Sequence, residues 1–497
     1  MGSISHFIAS PDYVLTLPII LLALFATGLA VVNNMTPPEW NWTHAVTALI
    51  GLAFSAAAMV KIFYTQTEAA QLGRRLQVAF QHGMVLDHFA IYFYGLFLGV
   101  AALSVLISLG GLDFSEQSAW SYALILISVI GLMLTASGFT LWLQFIGFEL
   151  ALLPAFVSPD GQRRGGFAAI SIFFSILFAA GLFWLHRISG GTNLHDVAQG
   201  TARFLYTSKA GIWHGGIKWA WFLIAAGLLG NVIASVLARW QSDANNPASA
   251  FAAGAAQAAA WACALRLLLW GIYPLHLNYF SALFWIAAIT MFLANLIALF
   301  RSNVRAALVY CSLAQAASLL LGVAAAASVT SPNPAIYDGV RGVLLYLPVY
   351  LVANLGMFGL LRAFRDESDD DDVTGLFRRE PAGTVLLLLF FILLAGIPSL
   401  PGFYGKYSAF VSLHESVHPR WAIAGIVSTL LSLYVYVRLA ITMFKRSSSA
   451  QSEDAMLKPP HHAAIRALLI AAALSSILLA IFPHVMTHIA NWTLQVG

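Results

Sequence analysis

Apolar positions in this chain fall in runs of about twenty or more, the length a helix needs to cross a bilayer core roughly 30 Å thick. The runs lie near residues 12–33, 43–62, 88–110, 117–137, 139–157, 166–188, 211–239, 248–272, 277–300, 305–327, 338–364, 383–412, 421–444 and 463–491. They predict an all-α membrane protein of about 14 transmembrane helices. Only Ser137-Gly138 separates the fourth run from the fifth, so that boundary is the most weakly punctuated.

Composition agrees. The 497 residues are 60% hydrophobic and 9% charged, and the mean hydropathy is +0.80. A soluble domain carries about 25% charged residues, so a soluble enzyme is excluded. A net charge of +4 over this length marks no nucleic-acid surface. Cys263 and Cys311 each sit inside an apolar run without metal-site spacing and are expected to be small buried hydrophobes. No GxGxxG, P-loop, CxxC or haem-attachment motif occurs, so the sequence carries no signal for a bound redox cofactor. The N-terminal residues lack the basic segment of a cleavable signal, and the first run is expected to be retained.

Ionisable groups inside such runs carry the chemistry, because a charge in hydrocarbon costs at least a few kcal/mol. Glu149 stands in the middle of the fifth run, where a lone carboxylate must be protonated, paired or hydrated. Lys406 follows Gly396-Ile-Pro398-Ser-Leu-Pro401-Gly402-Phe-Tyr-Gly405. Those two prolines and three glycines cannot support one continuous helix. Broken backbone at membrane depth is tolerated only where it is buried or lines a polar cavity, which suits a lysine that moves protons. Asp87 opens the third run as a helix cap. Arg266 lies toward a run end and is expected to snorkel to the interface.

At these residues the chain resembles the antiporter-like subunits of respiratory complex I. Leu393 to Tyr407 is similar to that family's twelfth-helix motif, with the lysine of the subunit N branch at Lys406 where the subunit M branch has glutamate. Leu143 to Pro154 resembles the fifth helix, Val85 to Phe93 the entry to the third, Asn295 to Ser312 the ninth-to-tenth junction and Tyr434 to Arg438 the thirteenth. The resemblance implies N-terminal helices over 1–110, two inverted five-helix repeats over 111–272 and 273–445 with broken seventh and twelfth helices, and a C-terminal loop and helix over 446–497. It implies a bacterial inner-membrane subunit of a proton-pumping NADH-quinone oxidoreductase. NADH, flavin, iron–sulfur clusters and quinone would belong to partner subunits, with no cofactor in this one. Its partners are other membrane-arm subunits, the lipid bilayer and protons. Glu149, a seventh-helix lysine, an eighth-helix lysine and Lys406 would form the proton route.

The sequence departs from that route. The expected seventh-helix lysine falls at Asn231, the eighth-helix lysine at Gln257 and a tenth-helix histidine at Gln315, while the proline that breaks the seventh helix falls at Val236. Amides hold water and relay hydrogen bonds but do not store a proton near neutral pH. Lys218 is a poor substitute, about 20 Å of helix from Asn231. The first half-channel therefore reads as degenerate, which leaves open a structural, non-pumping role in the same complex. A multisubunit sodium/proton antiporter or a membrane-bound hydrogenase is the remaining alternative.

Arg163-Arg164, Arg239, Arg301 with Arg305, Arg378-Arg379 and Lys445-Arg446 occupy alternate loops. By the positive-inside rule those loops are cytoplasmic and both termini periplasmic, although Arg74-Arg75 has the opposite sense. The acidic run 366–372 then lies in a cytoplasmic loop. A cysteine placed there is expected to resist membrane-impermeant thiol reagents in intact cells and to react in inverted vesicles; labelling from the periplasm overturns this orientation.

Overall fold

The computed structural model describes residues 11–33, 35–37, 40–71, 78–111, 118–157, 165–207, 213–241, 247–272, 281–328, 335–363, 373–398, 400–415 and 419–445, together with 488 and 491. Helices occupy the first thirteen apolar runs. In chain order they are α1 (Pro11–Val32), α2 (Trp42–Gln71), α3 (His88–Gly111), α4 (Ala119–Ser137), α5 (Leu141–Phe156), α6 (Gly165–Ser189), α7 (Leu194–Thr207), α8 (Trp213–Gln241), α9 (Pro247–Arg266), α10 (Ser281–Phe300), α11 (Val304–Ser328), α12 (Ala335–Ala363), α13 (Leu376–Arg379), α14 (Pro381–Ala395), α15 (Pro401–Glu415) and α16 (Arg420–Phe444). Among the described residues, 10 helices are long and apolar enough to cross a membrane, and α5 and α14 are shorter apolar helices. The fourteenth run, 463–491, and the acidic run, 366–372, lie outside the described residues except for positions 488 and 491.

Burial sorts the bundle into a centre and a perimeter. The membrane-spanning part of α11 is 94% buried, against 28% for α6. Alanines at 306, 307, 314, 316, 317 and 324 let neighbouring backbones approach α11 closely, as small residues do where lipid supplies no hydrophobic drive. The perimeter presents Leu24, Ile172, Phe173, Ile176, Trp285 and Leu430, each exposed. Apolar exposure of this extent is the signature of a bilayer-facing surface. Cys263 and Cys311 are free and buried, as small hydrophobes.

Three features differ from the sequence expectation. From Trp213 onward the run 211–239 forms one uninterrupted helix, α8, so the break implied for the seventh helix is absent. Val236, which has an N–H, replaces the proline that would remove a backbone hydrogen bond. The short helix α7 was not anticipated; it is amphipathic and too short to span. A two-stranded hairpin precedes α3, with β1 (Val78–Ala79) paired antiparallel to β2 (Met84–Val85). Its turn residues Phe80, Gln81 and His82 all have positive φ. Polar contacts hold that strained turn: Phe80 N–H donates to Asp12 (2.8 Å), and Asn193 Nδ2 donates to the His82 carbonyl (2.9 Å).

Arg266 is the larger correction. It does not snorkel; it is fully buried and forms an ion pair with Asp87 at 2.5 Å. Its second terminal nitrogen donates to the Val85 carbonyl at 3.0 Å. The guanidinium also lies over the rings of Phe89, Phe139 and Trp270, 4.3 Å from the last centroid. Asp87 does cap α3 as expected, accepting from Ala90 N–H at 2.9 Å, and so serves two elements at once. Directly after Arg266 the chain widens into a π-helical turn, Leu267–Ile272.

Removing one member of a buried ion pair strands the other, at a cost of about 3–5 kcal/mol. Arg266→Met is therefore expected to lower the thermal stability of the detergent-solubilised complex sharply. Adding Asp87→Asn, which keeps an N-capping oxygen while removing the stranded charge, should recover much of the loss. A single variant as stable as wild type would refute the staple.

Candidate functional site

The break between α14 and α15 builds the first cluster. Gly396 ends α14 in the left-handed region at φ 72°, a conformation for which a side chain is penalised. The helix restarts at Pro401, where a missing N–H costs nothing because first-turn donors are unpaired anyway. The carbonyls of Leu394 and Ala395 are thereby left without helical partners. Lys406, only 5% exposed, supplies them. Its Nζ donates to Leu394 O at 2.9 Å and Ala395 O at 3.3 Å. The ammonium sits at the negative end of the α14 dipole and 5.2 Å from the Tyr346 ring centroid. Among the described residues no carboxylate pairs with it.

Close helix approach brings Tyr346 in. An added Cβ at Gly405 would lie 2.7 Å from the Tyr346 Cβ, so only glycine lets α15 pack this near α12. The Tyr346 hydroxyl lies 3.0 Å from Leu394 O and 3.1 Å from Gln315 Oε1. One hydroxyl proton cannot fully serve two acceptors, and Gln315 Nε2 is buried without a partner. Turning the Gln315 amide over satisfies all three groups: Nε2 donates to the tyrosine oxygen, and the tyrosine donates to Leu394 O. Tyr350 continues the stripe one turn on, its hydroxyl 3.0 Å from both Ser312 Oγ and Ser312 O. Thus Lys406 and Gln315 meet, through a tyrosine that sequence reasoning missed. The i, i+4, i+8 spacing of Tyr346, Tyr350 and Asn354 within an apolar run was the available signal.

The second cluster lies between α5, α6 and α8. Glu149 Oε1 is buried without a hydrogen-bond partner. Asn231, fully buried, accepts from the Ser171 hydroxyl through Oδ1. Its Nδ2 donates to Gly227 O at 3.1 Å and to Ser175 Oγ at 3.4 Å. Among the described residues, hydrogen bonds tie Asn231 to Ser171, Ser175 and Gly227, and none joins it to Glu149. Two serines four residues apart on α6 mark one helix face, although serine in an apolar run is an ordinary residue.

Gln257 is buried on α9, and among the described residues no hydrogen bond ties it to either cluster. An apolar crevice between α8, α9, α10 and α11 is lined by side chains such as Leu228, Val232, Trp261, Leu283 and Leu320. Among the described residues, no hydrogen bond joins the polar groups near Glu149 to those near Lys406.

Residues 138–432 match the family described as NADH:quinone oxidoreductase/Mrp antiporter, TM. The NADH-quinone oxidoreductase subunit N 1 of Koribacter versatilis is 33% identical, covering 100% of this chain and 98% of that one. Among solved structures, a chain of respiratory complex I from Thermus thermophilus with bound aureothin is similar at a TM-score of 0.70 and 22% identity, covering 94% of this chain and 97% of that chain. A chain of the membrane-bound sulfane sulfur reductase, an archaeal respiratory membrane complex, is similar at 0.77 and 16%, covering 96% of each. These likenesses carry the fold, while the motif match and the full-length relative carry the family. The chain belongs to the NADH:quinone oxidoreductase/Mrp antiporter transmembrane family, as an antiporter-like member of the subunit N type.

Proposed function

We propose that this chain is a membrane-arm subunit of a proton-translocating NADH-quinone oxidoreductase and that Lys406 is its principal proton-carrying group. The observation that carries the assignment is the buried ammonium of Lys406 on two carbonyls freed by a broken helix. A lysine held by neutral dipoles rather than by a carboxylate can release and regain its proton without leaving a stranded partner charge. Glu149 is the second proton-bearing group. Asn231, Gln257 and Gln315 occupy positions where the resemblance implies titratable groups, and as amides they store no proton.

The same proposal assigns fourteen spans, with inverted repeats over 111–272 and 273–445. It puts the protein in the bacterial inner membrane with both termini periplasmic. It leaves NADH, flavin, iron–sulfur clusters and quinone to partner subunits. The resemblance and the alternating basic loops support it.

A second reading is favoured by the neutral amides at Asn231 and Gln257 and by the lack, among the described residues, of a hydrogen bond from Gln257 to either cluster. In that case the first half serves structure and only the second half moves protons. Gln257→Leu separates the two. It is expected to leave proton pumping by the assembled complex nearly unchanged, and a loss beyond about tenfold with normal assembly would show a water-borne route through Gln257.

Lys406→Met preserves length and removes charge; coupled quinone reduction and proton uptake are expected to fall by about tenfold or more while the complex assembles. Lys406→Arg should be impaired as well, because guanidinium does not release its proton at accessible pH. A static contact reverses this order, with arginine functional and methionine not. Wild-type rates in Lys406→Met would remove this residue from the proton route.

A further inference from the structure

Two donors converge on one carbonyl at the helix break. Leu394 O accepts from Lys406 Nζ at 2.9 Å and from the Tyr346 hydroxyl at 3.0 Å. A carbonyl oxygen has two lone pairs and can hold both. Ala395 O accepts only from Lys406 among the described residues, and at a longer 3.3 Å. Tyr346 is fully buried, and its oxygen accepts from Gln315 Nε2 once that amide is turned, which leaves its one proton for Leu394 O. Tyr350, one turn along α12, is committed to Ser312 and does not replace it.

We propose that Tyr346 is the positioning residue of Lys406: its hydroxyl keeps Leu394 O bonded when the lysine withdraws, so Lys406 can leave the break without stranding that carbonyl. This rests on Lys406 being a proton-carrying group. A buried carbonyl without a donor suffers its full desolvation penalty, and in hydrocarbon no water relieves it. With Tyr346 in place, withdrawal strands only Ala395 O, the longer of the two lysine contacts. The aromatic face, 5.2 Å from Nζ, meanwhile favours the ammonium in its seated position. Tyr346 keeps its own proton throughout; it governs how easily Lys406 moves.

The test uses the intact complex carrying Tyr346→Phe, Lys406→Met or both. Phenylalanine keeps the ring that packs against Gly405 and removes only the hydroxyl. Tyr346→Phe should lower the maximal rates of quinone reduction and proton pumping about tenfold, the equivalent of one buried hydrogen bond, with the KM for quinone unchanged. Thermal stability reads the shared carbonyl directly. Lys406 still serves Leu394 O in Tyr346→Phe, and Tyr346 still serves it in Lys406→Met, but neither remains in the double variant. The double variant should therefore lose more stability than the two single variants summed, whereas side chains acting independently add. Additive losses overturn the inference, and so does a wild-type rate in Tyr346→Phe. A wild-type rate in Lys406→Met instead strikes the proton route itself, and the positioning role falls with it even where the stability losses exceed their sum.

Discussion

In a bilayer every backbone carbonyl needs a donor from within the protein, and the rest of this structure's central chemistry depends on how that rule is met at residues 394 and 395. A helix that stops in hydrocarbon exposes its last carbonyls to nothing. Here the Lys406 ammonium returns from the next helix to meet two of them, and Tyr346 shares one. The dependence is mutual. Without the break, Lys406 has no acceptors at this depth; without Lys406, the break is left unsatisfied. Gly396, Pro401 and Gly405 each act on that exchange: the first ends a helix, the second restarts one, and the third admits the tyrosine.

Arg266 answers the same rule differently. It too is a buried cation, yet it is bound to a carboxylate, a backbone carbonyl and three aromatic faces. A guanidinium so enclosed is always charged and always paired, which suits a joint between the hairpin, α3 and α9. The two cations therefore differ in what surrounds them more than in depth. Neutral dipoles around Lys406 leave either protonation state tolerable; an anion beside Arg266 permits only one.

The long runs, the break at Pro398 to Pro401 and the absence of two expected lysines were all legible in the sequence, because each is a local property of a single segment. The environment of Arg266 was not. Its partner lies 179 residues away, and a cation near a run end reads as interfacial until the fold brings Asp87 to it. Helix α7 escaped notice because an amphipathic fourteen-residue segment between two long apolar runs looks like a connecting loop. Ser171 and Ser175 were invisible for a related reason: their contacts are with Asn231 on α8, and periodicity within α6 says nothing about that helix. At position 236 the departure from proline was on the page, but the broken seventh helix stood as the expectation until the structure showed α8 continuous.

The two halves then differ in a way that follows from substitution at one position. A lysine facing Glu149 would present a charge able to leave with its proton; Asn231 presents a dipole that cannot leave. An amide fixed by Gly227 O and Ser171 has no second orientation of comparable energy, because reversing it would set two carbonyl oxygens against each other. The Gln315 amide near Lys406 is satisfied in one orientation only, donating from Nε2 to Tyr346. What the second half retains is a titratable lysine held on two neutral carbonyls. In the first half the corresponding amide is held in place by an acceptor on one side and a donor on the other.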